Sequence, residues 1–130
     1  MSWSDADRGF MAQAIDLATG RMGETWPNPA VGCVIVKDGR VIAQAATAPG
    51  GRPHAEEQAV PAAGSDVEGA TVYVTLEPCG ARSSGRKSCA HFLTEAGVAR
   101  VVIACLDPSP FAAGRGTERL RAEGLTVETG

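Results

Sequence analysis

The sequence predicts an α/β domain in which a mixed sheet is covered by helices on both faces. Three observations carry that expectation: a hairpin signal in the first third, three further strand-like segments separated by short helical stretches, and glycines closing those stretches. Parallel strands need crossover connections, usually helices, and such crossovers bury both faces of the sheet. At 130 residues the chain has room for one continuous core, so residues 1–130 are read as a single domain.

Ser4 followed by Asp7 marks a helix start, with an acidic residue in place of the usual Glu or Gln. Phe10, Met11, Ala14, Ile15, Leu17 and Ala18 supply its apolar stripe, and Gly20 and Gly23 end it. Residues 30–37 (AVGCVIVK) and 40–46 (RVIAQAA) read as strands joined by Asp38-Gly39, a strong two-residue hairpin turn. A loop over 47–53 leads to a short helix starting near Pro53 and His54 and running through Glu57, Ala59 and Val60, with Pro61 positioned to kink or shorten it. Residues 70–76 (ATVYVTL) form a third strand, 77–88 an irregular segment, and 90–96 a helix closed by Gly97. Residues 100–106 (RVVIACL) read as a fully buried strand, 107–110 as a turn, 117–123 as a helix closed by Gly124, and 125–128 as a last strand.

Composition narrows the function. The net charge of -3 and pI near 5.3 argue against a general nucleic-acid binder, the basic residues Arg82, Arg86 and Lys87 being a local exception. No apolar run reaches the roughly 18 residues of a membrane span. The polar, acidic start (Met1, Ser2, Trp3, Ser4, Asp5) lacks the features of an export or transit signal, so a soluble cytoplasmic protein with no membrane partner is expected. In that compartment four cysteines point to metal ligands or buried thiols rather than disulfides. Cys33 and Cys105, set in apolar strands, read as small buried hydrophobes.

The chemistry lies in three short stretches: His54-Ala55-Glu56, Pro78-Cys79, and Cys89, each at or near an expected helix start. Helix N-termini favour negative charge and lower thiol pKa values, which suits thiolate ligands. One imidazole and two thiolates form a nearly neutral Zn²⁺ site with a fourth position open, the catalytic rather than the structural pattern. Zinc in such a site brings the ionisation of water close to neutral pH. Glu56, two residues from His54, is placed to carry protons without ligating the metal. H-x-E followed by P-C-x-x-C is the signature of zinc deaminases; here its second half reads P-C-x₉-C. A competing site built on Cys89 and His91 is disfavoured, because positions i and i+2 of a helix point about 200° apart. Glu57 reads as a solvated helix residue, and Gly114-Arg115-Gly116 as a structural turn too short for a dinucleotide fingerprint.

With these residues in place, the chain resembles the deaminase domain of the bifunctional riboflavin-biosynthesis deaminase/reductase family, within the cytidine-deaminase-like zinc superfamily. The matching stretches are 28–32 (NPAVG), 33–39 (CVIVKDG), 54–56 (HAE), 72–79 (VYVTLEPC), 97–103 (GVARVVI) and 107–116 (DPSPFAAGRG). The resemblance implies a three-layer α/β/α fold around a five-stranded mixed sheet. It also implies hydrolytic deamination of a diaminopyrimidine carrying a ribosylamino 5′-phosphate, with release of ammonia. Carried over by position, Asn28 contacts the heterocycle, Ala55 lies among the substrate-binding positions, and Arg86 pairs with the phosphate, a task its forked guanidinium suits. Lys87 and Thr47 are also assigned to the substrate. Thr47 stands where the family usually has a histidine, Gly80-Ala81 where it has Ser-His, and Lys87-Ser88 where it has Pro-Pro. By analogy with the superfamily, a homo-oligomer, dimer or tetramer, is expected.

Three other functions compete with this one. A zinc deaminase of another small base or nucleotide, such as cytosine, guanine or a modified pyrimidine, fits Thr47 and the altered 79–89 loop. A non-catalytic zinc-binding module has no use for Glu56 beside an open coordination position. Editing of tRNA or single-stranded DNA fits poorly with the acidic pI and with 5% aromatic residues, since stacking platforms need aromatic rings.

Overall fold

Ser4 and Asp7 begin the first helix as their spacing requires. In a computed structural model, which describes residues 3–25, 30–51, 53–78, 89–106 and 114–129, α1 spans Asp5–Thr19. The Ser4 hydroxyl accepts the Asp7 amide at 3.0 Å, and the Asp7 carboxylate accepts the Ser4 amide at 2.9 Å. The apolar stripe turns Met11 and Ala14 inward, with Phe10 and Leu17 partly buried. Ile15, counted in the stripe, is 47% exposed.

β1 (Gly32–Lys37) and β2 (Arg40–Ala46) form the expected hairpin. Asp38 and Gly39 have φ of 54° and 76°, the left-handed pair that a tight two-residue turn between twisted strands demands. β1 starts two residues later than its apolar run, because Val31 spends its amide and carbonyl on Thr47 instead of a ladder. Gly32 has a packing reason: a Cβ there would fall 1.8 Å from the Ala14 carbonyl oxygen, so the main chain of α1 crosses directly over β1.

α2 (Ala55–Ala63) follows, with His54 as its N-cap and Pro61 in its last turn. The helix continues two residues beyond that proline and stops at Gly64. A 3-10 turn over Gly64–Val67 leads into β3 (Thr71–Leu76). α3 (Cys89–Ala96), closed by left-handed Gly97, leads to β4 (Arg100–Cys105). α4 (Arg115–Ala122) begins two residues earlier than its apolar pattern suggested, capped by Gly114, and precedes β5 (Thr126–Thr129). The expected turn at 107–110 lies outside the described residues.

The sheet has the order β2-β1-β3-β4-β5, with β1 antiparallel to both neighbours and β3, β4 and β5 parallel. The fold is therefore the expected three-layer α/β/α architecture around a five-stranded mixed sheet. Alternation along β1 sorts the core: Val34 and Val36 meet α1, whereas Cys33 and Ile35 face the α2, α3 and α4 side with Ala59, Leu93 and Leu120. β2 runs in the same direction as β3, β4 and β5, so α2, α3 and α4 all start at one edge of the sheet.

β4 departs from expectation at its end. Val101, Val102 and Ile103 are buried, but Cys105 is exposed and Leu106 is 41% exposed. Cys105 is thus not a buried hydrophobe. The pairing of β5 with β4 ends at Thr129 opposite Ile103, so the last residues of β4 have no strand on that side among the described residues.

The opposite edge carries a part-buried ion pair. Asp7, 4% exposed, accepts four hydrogen bonds: two from the Arg100 guanidinium (2.9 and 2.8 Å), one from the Tyr73 hydroxyl (2.6 Å) and one from the Ser4 amide. Arg100 Nε also donates to Glu128 at 2.7 Å, so four elements meet at one guanidinium–carboxylate pair. Hydrogen bonding from Arg100 holds the Asp7 carboxyl well below the usual carboxylate range, against the opposing effect of burial. Burial, with Asp7 beside it, pushes the Tyr73 hydroxyl up to about 12.

Asp7 binds its proton less tightly in the folded protein than in the unfolded chain. Its contribution is therefore fully present above the ordinary value near 4 and is lost as pH falls below it. Replacing Asp7 by Asn is expected to cost about 3 kcal/mol at neutral pH, since it leaves Arg100 half-paired. Denaturant unfolding from pH 7 to pH 3 checks this: the gap between wild type and D7N is expected to narrow below pH 4. A constant gap would show that the carboxylate charge is not what stabilises.

Candidate metal centre

Two helix starts converge at the carboxyl edge of the sheet. His54 has extended dihedrals (φ −68°, ψ 160°), as an N-cap requires, so its amide is not used within the helix. Glu57, three residues on, accepts that amide at 3.0 Å. Gln58 ties the same turn to the sheet, donating to the Ala46 and Pro53 carbonyls at 2.7 and 3.1 Å. Cys89 opens α3, is 2% exposed, and is in no disulfide.

These constraints bring His54 Nδ1 to 3.2 Å from Cys89 Sγ, although the two residues are 35 apart in sequence. Glu57 Oε1 lies 3.8 Å from the same Nδ1. One donor atom from each of His54, Glu57 and Cys89 falls within 4.8 Å of the others, a cluster that can hold a metal ion. Glu57, expected to be a solvated helix residue, is instead partly buried against His54 and caps its helix. The spacing that relates Ser4 to Asp7 also relates His54 to Glu57, so the signal was present in the sequence.

Glu56 is 3% exposed and Ala55 fully buried, both in the first turn of α2. Burial pushes the Cys33 thiol well up, and the Glu56 charge near it pushes further in the same direction. Cys33 is therefore a neutral buried thiol, as its strand position suggested. His91 turns away from Cys89: its Nδ1 lies 3.2 Å from Arg119 Nη2 and its Nε2 3.6 Å from Glu95. A site shared by Cys89 and His91 does not form.

Thr47 is 1% exposed, and its hydroxyl accepts the Val31 amide at 2.9 Å. This makes it a post for the backbone of Val31. Glu77 is a second residue that motif spacing alone did not single out, a buried carboxylate at the end of β3 bonded to amides of the α4 start. Asn28, Cys79, Arg82, Arg86 and Lys87 lie outside the described residues.

The donors suit zinc. Zn–N and Zn–S bonds of about 2.0 and 2.3 Å at a tetrahedral angle set the two atoms about 3.5 Å apart, close to the 3.2 Å between His54 Nδ1 and Cys89 Sγ. Imidazole and thiolate are the ligand types this ion prefers.

Fold and site together define a class: the chain belongs to the family described as the cytidine and deoxycytidylate deaminase zinc-binding region, which matches residues 4–105. Its particular relatives are riboflavin biosynthesis proteins. It is 47% identical over 124 residues to RibD of Escherichia coli, an alignment covering 95% of this chain and 34% of that protein. It superimposes on Acinetobacter baumannii RibD with a TM-score of 0.91 at 47% identity, over 96% of this chain and 35% of that one. A diaminohydroxyphosphoribosylaminopyrimidine deaminase/5-amino-6-(5-phosphoribosylamino)uracil reductase from Thermotoga maritima matches with a TM-score of 0.85 at 42% identity, over 94% of this chain and 35% of that one. The chain spans about a third of the length of the curated relatives it matches.

Replacing His54 by Ala or Cys89 by Ser removes a donor from the cluster. Elemental analysis of the purified variants is expected to show bound metal falling to trace levels while circular dichroism keeps the α/β spectrum. Full metal content in both variants would place the binding residues elsewhere.

Proposed function

We propose that this domain is a hydrolytic deaminase of a diaminopyrimidine bearing a ribosylamino 5′-phosphate, with Zn²⁺ held by His54, Cys79 and Cys89 and with Glu56 carrying protons. The observation that carries the reading is the approach of His54 Nδ1 to Cys89 Sγ, two residues from the buried Glu56. The name of the Thermotoga maritima relative supports the substrate class, since it describes that protein as a deaminase of such a pyrimidine.

Bound zinc would supply Lewis-acid chemistry, making water acidic enough to attack near neutral pH. The chain's own residues do the rest. As the water oxygen bonds to the ring carbon bearing the amino group, a Glu56 carboxylate oxygen takes the released proton and passes it to the adjacent ring nitrogen. The same carboxylate moves the proton of the new hydroxyl to the amine. The C–N bond then breaks, ammonia leaves, and a carbonyl remains. One water is consumed and no redox partner is needed. The burial of Glu56 keeps bulk water from competing for these protons.

Asn28 and Ala55 serve the heterocycle in this reading, and Arg86, with Lys87 nearby, takes the phosphate through a forked, charge-assisted contact. Thr47, whose hydroxyl holds the backbone amide of Val31, three residues from Asn28, stays among the positions assigned to the substrate. The partner is thus a small phosphorylated molecule rather than a nucleic acid. We also read the domain as a homo-oligomer, dimer or tetramer, by analogy with its superfamily. A cytoplasmic setting agrees with Cys33, Cys89 and Cys105 being in no disulfide. Among the described residues no helix is long and apolar enough to cross a membrane.

Ammonia release measured over free bases, nucleosides and phosphorylated diaminopyrimidines tests the substrate class. Turnover confined to an unphosphorylated base would overturn it. Glu56→Gln is expected to keep its zinc and lose about 10²- to 10⁴-fold in kcat, the usual share of a general acid–base group. Wild-type turnover in E56Q would rule out the carboxylate as proton carrier.

A further inference from the structure

Glu77 ends the pairing of β3 and is followed in the chain by Pro78 and Cys79. Its surroundings are unusually well defined for the last residues before a loop. The side chain is 5% exposed. One carboxylate oxygen accepts the Gly114 amide at 2.9 Å and the other accepts the Thr117 amide at 2.8 Å. Gly114 is the N-cap of α4 and Thr117 lies in its first turn, so the charge sits on the positive end of that helix and satisfies two amides the helix leaves unbonded. The Glu77 amide meanwhile donates to the Cys105 carbonyl at 2.8 Å, which extends the β3–β4 register by one residue. Gly116 completes the contact: a Cβ there would fall 1.7 Å from the Pro78 carbonyl oxygen and 3.2 Å from Glu77 Cγ.

Burying a carboxylate is costly, and apolar packing would hold α4 to the sheet without that cost. What the carboxylate adds is direction. Two amides 37 and 40 residues away fix the side chain of Glu77, and close main-chain packing fixes Pro78. The chain is therefore held in one path out of β3 as far as Pro78.

We propose that Glu77 and Gly116 are positioning residues: by locking the end of β3 to the start of α4, they set where the Cys79 thiolate enters the metal centre. This inference rests on the reading of Cys79 as a ligand. Glu77 acts through Cys79 and has no part in the proton transfers assigned to Glu56. It links α4, which supplies no ligand, to the metal affinity of the site.

The test uses the full chain as wild type, E77Q, G116A and D7N. Zinc affinity is measured by competition with a chromogenic chelator, and Co²⁺-loaded protein is examined for thiolate-to-metal charge transfer, which reports how many sulfurs bind. E77Q keeps the size of the side chain but loses one acceptor. G116A keeps both amide donors but pushes on Pro78. Both are expected to bind zinc at least about tenfold more weakly, the usual consequence of disturbing groups that orient a ligand, and to show weaker charge transfer per Co²⁺. D7N, which weakens the fold at the other edge, is expected to melt earlier and bind zinc as wild type does. Wild-type affinity in whichever of E77Q and G116A folds overturns the inference, even if the variant melts at a lower temperature. Wild-type protein that takes up no zinc overturns the metal reading itself, a distinguishable result.

Discussion

Strand direction is the constraint from which the rest follows. Parallel strands cannot be joined by tight turns, so each of β3, β4 and β5 is reached through a helix that starts where the previous strand ended. β2 shares their direction because β1 is antiparallel to both of its neighbours. Three helices therefore begin along one edge, and the exposed amides and positive ends of their first turns gather there. His54 caps one of these helices, Cys89 opens the second, and the third receives the Glu77 carboxylate. Groups from distant parts of the chain meet because the sheet topology leaves them no other edge.

The two ends of the sheet use charge differently. At the amino end of β4, Arg100 and Asp7 are paired and saturated with hydrogen bonds, and α1, β3, β4 and β5 are drawn together. This pair stabilises the layers and offers nothing to a ligand. At the carboxyl end His54, Glu57 and Cys89 bring together donors that can bind an ion, and Glu56, in the same first turn of α2, is buried.

Local features were legible in the sequence, and distant ones were not. Ser4 and Asp7 capped α1 as their spacing required, Asp38-Gly39 made the hairpin turn, and glycines closed α3 and α4, because each of these depends on residues within a few positions. The bond from Arg100 to Asp7 spans 93 residues, and no periodic pattern announces it. Glu77 is similar, since its partners are backbone amides, which carry no side-chain signature. Cys105 is exposed, against its apolar setting, and an apolar run does not reveal where a neighbouring strand stops. The approach of His54 to Cys89 is one that residue type could suggest, because imidazole and thiol are ligand chemistries whatever their separation. Glu57 carries the local capping spacing, and the adjacent Glu56, which completes the H-x-E motif, masks that signal.

The position of Cys105 matters for handling the protein. It is an exposed sulfhydryl at the end of a strand, on a surface that also presents Leu106. Air oxidation can join two molecules through it, and the linked species would elute at a larger mass than the native assembly alone. Size measurements made without a reducing agent would therefore report sulfur oxidation together with quaternary structure, and the two become separable only when the column buffer keeps that sulfur reduced.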